Sequence, residues 1–218
     1  MGGFRVLLYY INEMAWKSGE NDENYKLGIT SLELVAVCCQ LNEFCQQRAV
    51  DGGILTKVKL MLEEGISYVK TVPAEQGISA VMPLRMVFKC LSAISAICRS
   101  NEQTIAAFLN FEDGKLLNEN STKNGLLLVL DCLTLTDIGF KFPEQCDLAE
   151  KALPRRIRTK AAFFIKSLAN REELAIVVSE KESPCDVALK MTVDIGIVSK
   201  TLSIVANANS DIDPSGIY

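Results

Sequence analysis

Any chemistry in this 218-residue sequence would have to come from carboxylates or thiols, because the sequence contains no histidine. Histidine is the commonest general base near neutral pH and the commonest metal ligand, so its absence excludes Ser-His-Asp and Cys-His catalysis and histidine-containing zinc sites. Glu33, Glu43 and Asp131 could activate a water nucleophile, but no pair of acids has a recognisable catalytic spacing. No glycine-rich loop leads into the Gly-Lys of a phosphate-binding loop. We therefore expect a protein that is not an enzyme and that uses no metal or cofactor.

The eight cysteines give a second set of reactive groups, and none of them forms a C-x-x-C pair. An all-cysteine zinc site or a thioredoxin-like motif therefore has no support. We expect the cysteines to be reduced and buried in a reducing compartment, with one or two disulfides in an oxidising lumen as the alternative. The adjacent Cys38 and Cys39 could act in redox sensing or arsenical binding, but their apolar helical surroundings favour core packing.

The composition of the chain limits which classes of partner and which cellular compartment we expect. Basic residues number 23 against 27 acidic ones, a net charge of -4, so we expect no nucleic-acid partner. No segment reaches the roughly 18 to 20 consecutive apolar residues of a membrane span, so we expect no membrane partner. The N-terminal apolar stretch makes a poor signal peptide, and the cysteines have no recognisable disulfide pattern. Both features favour the cytoplasm. The glycosylation triplet Asn120-Ser121-Thr122 leaves the lumen of the endoplasmic reticulum as the alternative.

Apolar residues recur at helical spacing along nearly the whole chain, which predicts an all-α protein. We expect residues 1–30 to form an N-terminal helix or cap followed by a polar loop, residues 31–207 to form the main domain, and residues 208–218 to be a flexible tail. Thr30 and Glu33 have the spacing of a capping box, which predicts a helix start at Thr30. Gly52-Gly53 should separate two helices, the second of them over Ile54–Glu63.

Later helices are predicted from proline positions and apolar spacing. Pro83 and Pro154 each precede an apolar run and suit the first turn of a helix. The predicted helices cover Leu84–Cys98, Glu102–Phe108, a short piece from Leu116, Leu126–Thr136, Arg155–Asn170, Glu172–Ser179, Cys185–Val193 and Ile195–Asn207.

Two of these helix starts resemble each other at a separation of 71 residues. The shared register pairs Pro83 with Pro154, Arg85 with Arg156, and Lys89 with Lys160. We interpret it as an internal repeat of helical units with loop insertions. Chance similarity between two amphipathic helices is the alternative.

The repeated segments resemble armadillo repeats. Asn42–Leu62 has a helix end, a small apolar pair, Gly52-Gly53-Ile54 and a second helix; Arg85–Leu117 and Arg156–Lys190 are similar. In this order the segments resemble the armadillo exchange factors of the 70-kilodalton heat-shock chaperone. The resemblance implies a right-handed superhelical solenoid that binds the chaperone's nucleotide-binding domain and promotes ADP release.

A solenoid of stacked helices presents an extended concave face, which suits a large protein partner better than it suits catalysis. Basic residues near the predicted helix starts, and two residues further along the second helix, are the candidates for meeting an acidic partner surface. A generic armadillo scaffold that binds a peptide or a helical protein in its groove is the alternative function. The candidate partner-binding residues are Arg85, Lys89, Arg155, Arg156, Arg158, Lys160, Lys166 and Asn170.

Overall fold

The computed structural model describes residues 2–14, 22–71, 80–109, 111–112, 115–116, 125–135, 142 and 144–169. Helices account for most of this part of the chain, as the apolar spacing predicts. They are α1 Gly3–Asn12, α2 Glu23–Cys39, α3 Glu43–Asp51, α4 Ile54–Thr71, α5 Val81–Ile97, α6 Glu102–Leu109, α7 Gly125–Leu133, α8 Leu148–Lys151 and α9 Leu153–Ala169. In these ranges no helix is both long and apolar enough to cross a membrane.

The chain divides into two compact units, Met1–Ser167 and Leu168–Tyr218. All described residues except the last two of α9 belong to the first unit. The helices predicted over Glu172–Ser179, Cys185–Val193 and Ile195–Asn207 lie outside the described residues, as does the predicted tail.

A short β-ribbon replaces the helix predicted from Leu116. Strand β1 (Phe111–Glu112) pairs antiparallel with β2 (Lys115–Leu116), with Phe111 opposite Leu116. The two residues left between the strands are Asp113-Gly114, a sequence that favours two-residue hairpin turns. The prediction of a helix start at Leu116 is therefore wrong.

The predicted helix start at Thr30 is also wrong, because α2 begins at Glu23 and runs through that position. The Asp22 carboxylate accepts hydrogen bonds from the backbone N–H groups of Asn24 and Tyr25, which satisfies two donors of the first turn. Glu23 adds a negative charge at the positive end of the helix dipole. These interactions start the helix inside the stretch that the polar composition assigns to a loop.

The predicted glycine break and the proline position are confirmed. Helix α3 ends at Asp51 and α4 begins at Ile54, and Gly53 between them has φ +78°, a conformation that side chains with Cβ disfavour. Pro83 is the third residue of α5, where its missing N–H has no helical acceptor to lose. Helix α4 continues eight residues beyond the predicted end at Glu63.

Helix α5 is the centre of the described core. Eleven of its 17 residues are buried, and its main neighbours are α2 and α4. Helix α1 packs on α2 and α4, α4 packs on α7, and α3 packs on α6. Only one stripe of α5 reaches solvent, with members three or four positions apart: Met82, Arg85, Phe88, Lys89, Ser92 and Ser95.

Gly65 allows α4 to approach α5 closely. A Cβ at this position would lie 2.6 Å from Met86 Cε and 2.8 Å from Val87 Cγ2, both on α5. The Met86 terminus can turn away, but the β-branched Val87 has little rotamer freedom in a helix. The absence of a side chain at Gly65 therefore sets the spacing between the two helices.

Gln46 of α3 joins the ends of α2 and α5 from within the core, where it is 0% exposed. Its Nε2 donates to the carbonyl oxygens of Cys39 in α2 and Ala96 in α5, at 2.8 and 3.2 Å. The Ser100 hydroxyl donates to Gln46 Oε1 at 3.3 Å. Every polar atom of this side chain therefore has a partner, which offsets the cost of burying it.

Lys59 makes a second buried polar link, from α4 to the end of α6. The side chain is 4% exposed, and its Nζ donates to the carbonyl oxygen of Phe108 at 2.9 Å and lies 5.6 Å from the Phe108 ring centroid. The Phe108 ring makes an edge-to-face contact with Phe164 of α9, with centroids 5.5 Å apart. Lys59 thus holds the residue on which α9 packs.

We predict that Gly65→Ala destabilises the protein by about 1 to 3 kcal/mol, because the new methyl group must displace Val87 or separate α4 from α5. The clash should outweigh alanine's better helix propensity, which is worth about 1 kcal/mol. Urea unfolding followed by helical circular dichroism measures the change. Gly3→Ala is the control, since a Cβ at Gly3 meets nothing within 4 Å. Equal stabilities for the two variants would contradict the packing argument.

Burial lowers the pKa of Lys59 from its ordinary 10.5 to about 8, although Cys98 and Glu63 act in the opposite direction. Between these two values the unfolded chain binds more protons than the folded one. The contribution of Lys59 to the free energy of unfolding should therefore increase as the pH rises from about 8 to about 10.5. The increase should be at most about 1.4 kcal/mol per pH unit. Below pH 8 the destabilisation from the buried charge is present in full.

The measurement is urea unfolding under reducing conditions at several pH values for wild type, Lys59→Met and Lys57→Met. The Lys59→Met protein should lack this contribution, so that its stability relative to wild type falls as the pH rises. Lys57 is a half-buried lysine of the same helix, and its variant should keep the wild-type slope because Lys59 is intact. Parallel pH profiles for wild type and Lys59→Met would show that Lys59 does not carry the effect.

Candidate functional site

Helix α9 has an apolar face and a cationic face. Leu153, Pro154, Ile157, Ala161 and Phe164 are buried. Their spacing of three to four residues places them on one side of the helix. The other side carries exposed Arg155, Arg156, Thr159 and Phe163, with Lys160 half-buried at its edge.

The exposed stripe of α5 lies opposite this cationic face. Its Ser92 and Ser95 hydroxyls donate to the carbonyl oxygens of Phe88 and Leu91, four residues earlier in the helix, at 2.8 and 2.7 Å. These donors are therefore used within α5 itself. Phe88 and Lys89 are the members of the stripe that meet side chains of α9.

A cavity of about 720 Å³ lies between the two helices, and we call it the α5–α9 groove. Its size falls in the range of about 300 to 1,000 Å³ that is usual for ligand sites. Among the described residues, the lining contains four cations, three hydroxyl side chains, three aromatic rings and one alanine, and no carboxylate. These residues are Arg99, Arg155, Arg156, Lys160, Ser95, Thr159, Ser167, Phe88, Phe163, Phe164 and Ala152.

Three cations surround the ring of Phe88. Arg156 Cζ lies 4.6 Å, Lys160 Nζ 5.5 Å and Lys89 Nζ 6.0 Å from its centroid. The negative face of an aromatic ring attracts cations at such distances. Burial lowers the pKa of Lys160 below its ordinary value, and the positive charges of Lys89 and Arg156 lower it further. The cluster is therefore an assembly of mutually repelling charges.

Ion pairing separates the predicted binding residues into two groups. Arg85 pairs with Glu150 and Lys89 pairs with Glu33. In contrast, no ion pair between described residues uses Arg155, Arg156 or Lys160. Of the predicted residues, these three line the groove without a carboxylate partner among the described residues, whereas Lys89 approaches the same Phe88 ring but is paired with Glu33.

The remaining predicted residues are placed elsewhere. Arg158 Nη1 donates to the Leu135 carbonyl oxygen at 2.7 Å. It lies two positions after Arg156 and so projects from a different side of α9. Lys166 is exposed but does not line the groove. Asn170 lies outside the described residues. Arg85 and Arg158 therefore also hold α8 and α9 against their neighbours, and their predicted role as partner contacts stays a prediction.

Of the eleven groove residues, the sequence pointed to three and did not indicate the other eight: Phe88, Ser95, Arg99, Ala152, Thr159, Phe163, Phe164 and Ser167. The aromatic residues resemble core residues when read at helical spacing, although Phe163 is 65% exposed. A signal for Phe88 and Arg99 was present along α5 and just beyond its end, because Arg85, Phe88, Ser92, Ser95 and Arg99 share one helical stripe.

The carboxylates considered for catalysis lie on three different helices. Glu33 of α2 is paired with Lys89, and Asp131 of α7 is paired with Lys70 at 2.6 Å. Glu43 is exposed in the first turn of α3. Within the described ranges, no group of three histidine, cysteine, aspartate or glutamate residues could hold a metal ion.

Seven of the eight cysteines fall in the described residues, and none of these seven forms a disulfide with another of them. Cys39, Cys90, Cys98 and Cys132 are buried, but Cys38 is exposed, so the core position predicted for Cys38 is wrong. Burial raises the pKa of Cys39 to about 12, with smaller effects from Cys45 and Cys38. Cys39 is therefore protonated at neutral pH and a poor nucleophile. Cys185 lies outside the described residues.

A second hollow, of about 700 Å³, lies between the start of α1 and helix α3. Phe4, Arg5, Phe44, Arg48 and Asp51 are among its lining residues, and Arg48 Cζ lies 5.1 Å from the Phe44 centroid. It combines aromatic and cationic side chains as the α5–α9 groove does. Unlike that groove it includes a carboxylate, so its charges are partly balanced.

The geometry of the α5–α9 groove suits an anionic ligand or an acidic protein surface. No family model, curated protein or solved structure matches this sequence.

Proposed function

We propose that this protein is a co-chaperone that binds the nucleotide-binding domain of a 70-kilodalton heat-shock chaperone through the α5–α9 groove and promotes ADP release. The observation that carries the proposal is the set of Arg155, Arg156 and Lys160 in one groove without carboxylate partners among the described residues. Desolvating a charge is costly unless an opposite charge compensates it, so such a groove favours an acidic partner surface.

The order of helix contacts supports a stack of armadillo-like units. Helices α1, α4 and α7 pack on one another in succession, and α2 packs on α5. The short helices α3 and α6 also pack together. In a stack of three-helix units, each helix meets the equivalent helix of the next unit. We infer from this pattern that α3, α4 and α5 form one unit and that α9 is the counterpart of α5 in the next.

The internal repeat agrees with that equivalence. Pro83 lies in the first turn of α5, and Pro154 lies in the first turn of α9. The repeat also pairs Lys89 with Lys160, and both lysines approach the same Phe88 ring. The groove would thus lie between equivalent helices, which is where a solenoid offers its concave face.

Nucleotide release requires no chemical step by this protein. A protein that binds the open form of the chaperone domain more tightly than the closed, ADP-holding form shifts the equilibrium toward opening by the difference in affinity. Cations facing an acidic surface would also speed association by long-range attraction. A generic scaffold for extended peptides would use the same groove without this preference for an open domain.

We predict that Arg156→Glu combined with Lys160→Glu weakens chaperone binding by at least about tenfold, which corresponds to about 1.4 kcal/mol, because two attractions become repulsions. Stopped-flow release of a fluorescent ADP analogue from the chaperone should be accelerated by wild type and much less by this variant. Circular dichroism and the thermal midpoint establish that the variant is folded.

The matched control is Lys26→Glu combined with Lys151→Glu. It makes the same change in net charge on exposed lysines of α2 and α8 that do not line the groove. It should accelerate ADP release as wild type does. Equal activity of the two double variants would overturn the groove assignment, and a wild-type protein that neither binds nor accelerates release would overturn the co-chaperone function.

A further inference from the structure

We propose that the α5–α9 groove binds a phosphorylated side chain of its partner, a phosphomonoester dianion carried on a segment with apolar residues beside it. The inference rests on the proposed function in that it uses the same groove for partner contact, and it adds the chemical group that the groove recognises.

The charge of the groove favours a dianion over a single carboxylate. Arg155, Arg156 and Lys160 have no carboxylate partner among the described residues, whereas Lys89, which approaches the same ring as Arg156 and Lys160, is already paired with Glu33. One carboxylate would neutralise one of these charges, whereas a phosphomonoester carries about two near neutral pH. It also has three oxygens that accept charge-assisted hydrogen bonds, with a geometry that arginine matches in a bidentate manner.

Mutual repulsion among the cations supports the same conclusion. Burial, Lys89 and Arg156 together lower the pKa of Lys160. A dianion between these groups would reverse the sign of the local field and relieve the repulsion of all of them at once. A ligand with a larger negative charge reduces the repulsion among the cations more.

The aromatic lining indicates that the ligand is larger than a free ion. Phe88, Phe163 and Phe164 contribute rings to the groove, and Phe163 is 65% exposed. A bare phosphate gains nothing from an exposed ring, whereas an apolar side chain beside the phosphate would bury it. The cavity of about 720 Å³ has room for both groups.

The hollow between α1 and α3 provides an internal comparison. It also has aromatic rings and the cations Arg5 and Arg48, but Asp51 lies among them. A carboxylate in the lining repels a phosphate, so this hollow should discriminate little between a phosphorylated and an unmodified segment. The difference in charge pattern, and not the mere presence of arginine and phenylalanine, is what assigns the phosphate to the α5–α9 groove.

The test is fluorescence anisotropy of dye-labelled peptides at fixed salt concentration. Three peptides are identical except at one central position, which is phosphoserine, glutamate or serine, with leucine and phenylalanine on either side. We expect the full-length protein to bind the phosphoserine peptide at least tenfold more tightly than the glutamate peptide, and the serine peptide weakest of all. Inorganic phosphate should compete at high concentration, since it lacks the apolar part.

Amino-acid substitutions identify the binding site and distinguish the contribution of the phosphate group from that of the apolar side chain beside it. Arg156→Gln with Lys160→Gln should weaken phosphoserine-peptide binding at least tenfold, whereas Arg48→Gln in the other hollow should leave it unchanged. Phe163→Ala should weaken peptide binding but not competition by inorganic phosphate, because Phe163 contacts only the apolar part. Phe163 is exposed, so its replacement does not remove a core side chain.

The outcomes distinguish this inference from the proposed function. Equal affinity for the phosphoserine and glutamate peptides, or loss of phosphoserine binding in Arg48→Gln instead of the groove variant, would overturn the phosphate inference. Absence of any peptide binding while the protein still binds the chaperone would overturn it and leave the proposed function standing. Phosphoserine-dependent binding in a protein that does not bind the chaperone would support the inference and overturn the proposed function.

Discussion

The burial of α5 between α2 and α4 is the constraint on which the candidate site depends. Eleven of its 17 residues are buried, and Gly65 lets α4 approach without a side chain at the closest point. Polar groups can then occupy only the single stripe that remains, because a buried charge without a partner is costly. The same packing that stabilises the core therefore orders Phe88 and Lys89 along the wall of the groove.

The other wall depends on a chain of contacts that begins in the core. Lys59 of α4 donates to the carbonyl oxygen of Phe108, and the Phe108 ring meets Phe164 on the buried face of α9. Because Phe164 and Phe163 are adjacent, fixing one toward the core directs the other toward the groove and solvent. A buried lysine, whose charged form burial disfavours and whose pKa is lowered as a result, thus also takes part in positioning the binding surface.

Apolar periodicity predicted the helices well, because a helix with one buried face repeats its apolar residues every three to four positions. It predicted the start of α2 poorly, since the Thr30–Glu33 spacing also occurs inside helices, whereas the actual cap is Asp22 in a polar stretch. Three of the four basic groove residues, Arg155, Arg156 and Lys160, were predicted, but not which of the predicted cations would have a carboxylate partner. That depends on partners far away in the sequence: Glu33 is 56 residues from Lys89, and Glu150 is 65 residues from Arg85. Such pairings follow from tertiary packing and leave no local pattern.

The net charge of -4 says little about this groove, because exposed charges farther away than about 8 to 10 Å are largely screened at physiological salt. A ligand in the groove lies beside Arg155, Arg156 and Lys160, which have no carboxylate partner among the described residues. Whether a cation is available to bind an anionic ligand depends on the group that holds its side chain in place. Glu150 and Glu33 position Arg85 and Lys89 by neutralising them. The Phe88 ring positions Arg156 and Lys160 through its quadrupole and leaves their full charge in place. An aromatic residue at the centre of a cationic cluster can therefore order the cations without competing with an anionic ligand, which a carboxylate in the same position could not do.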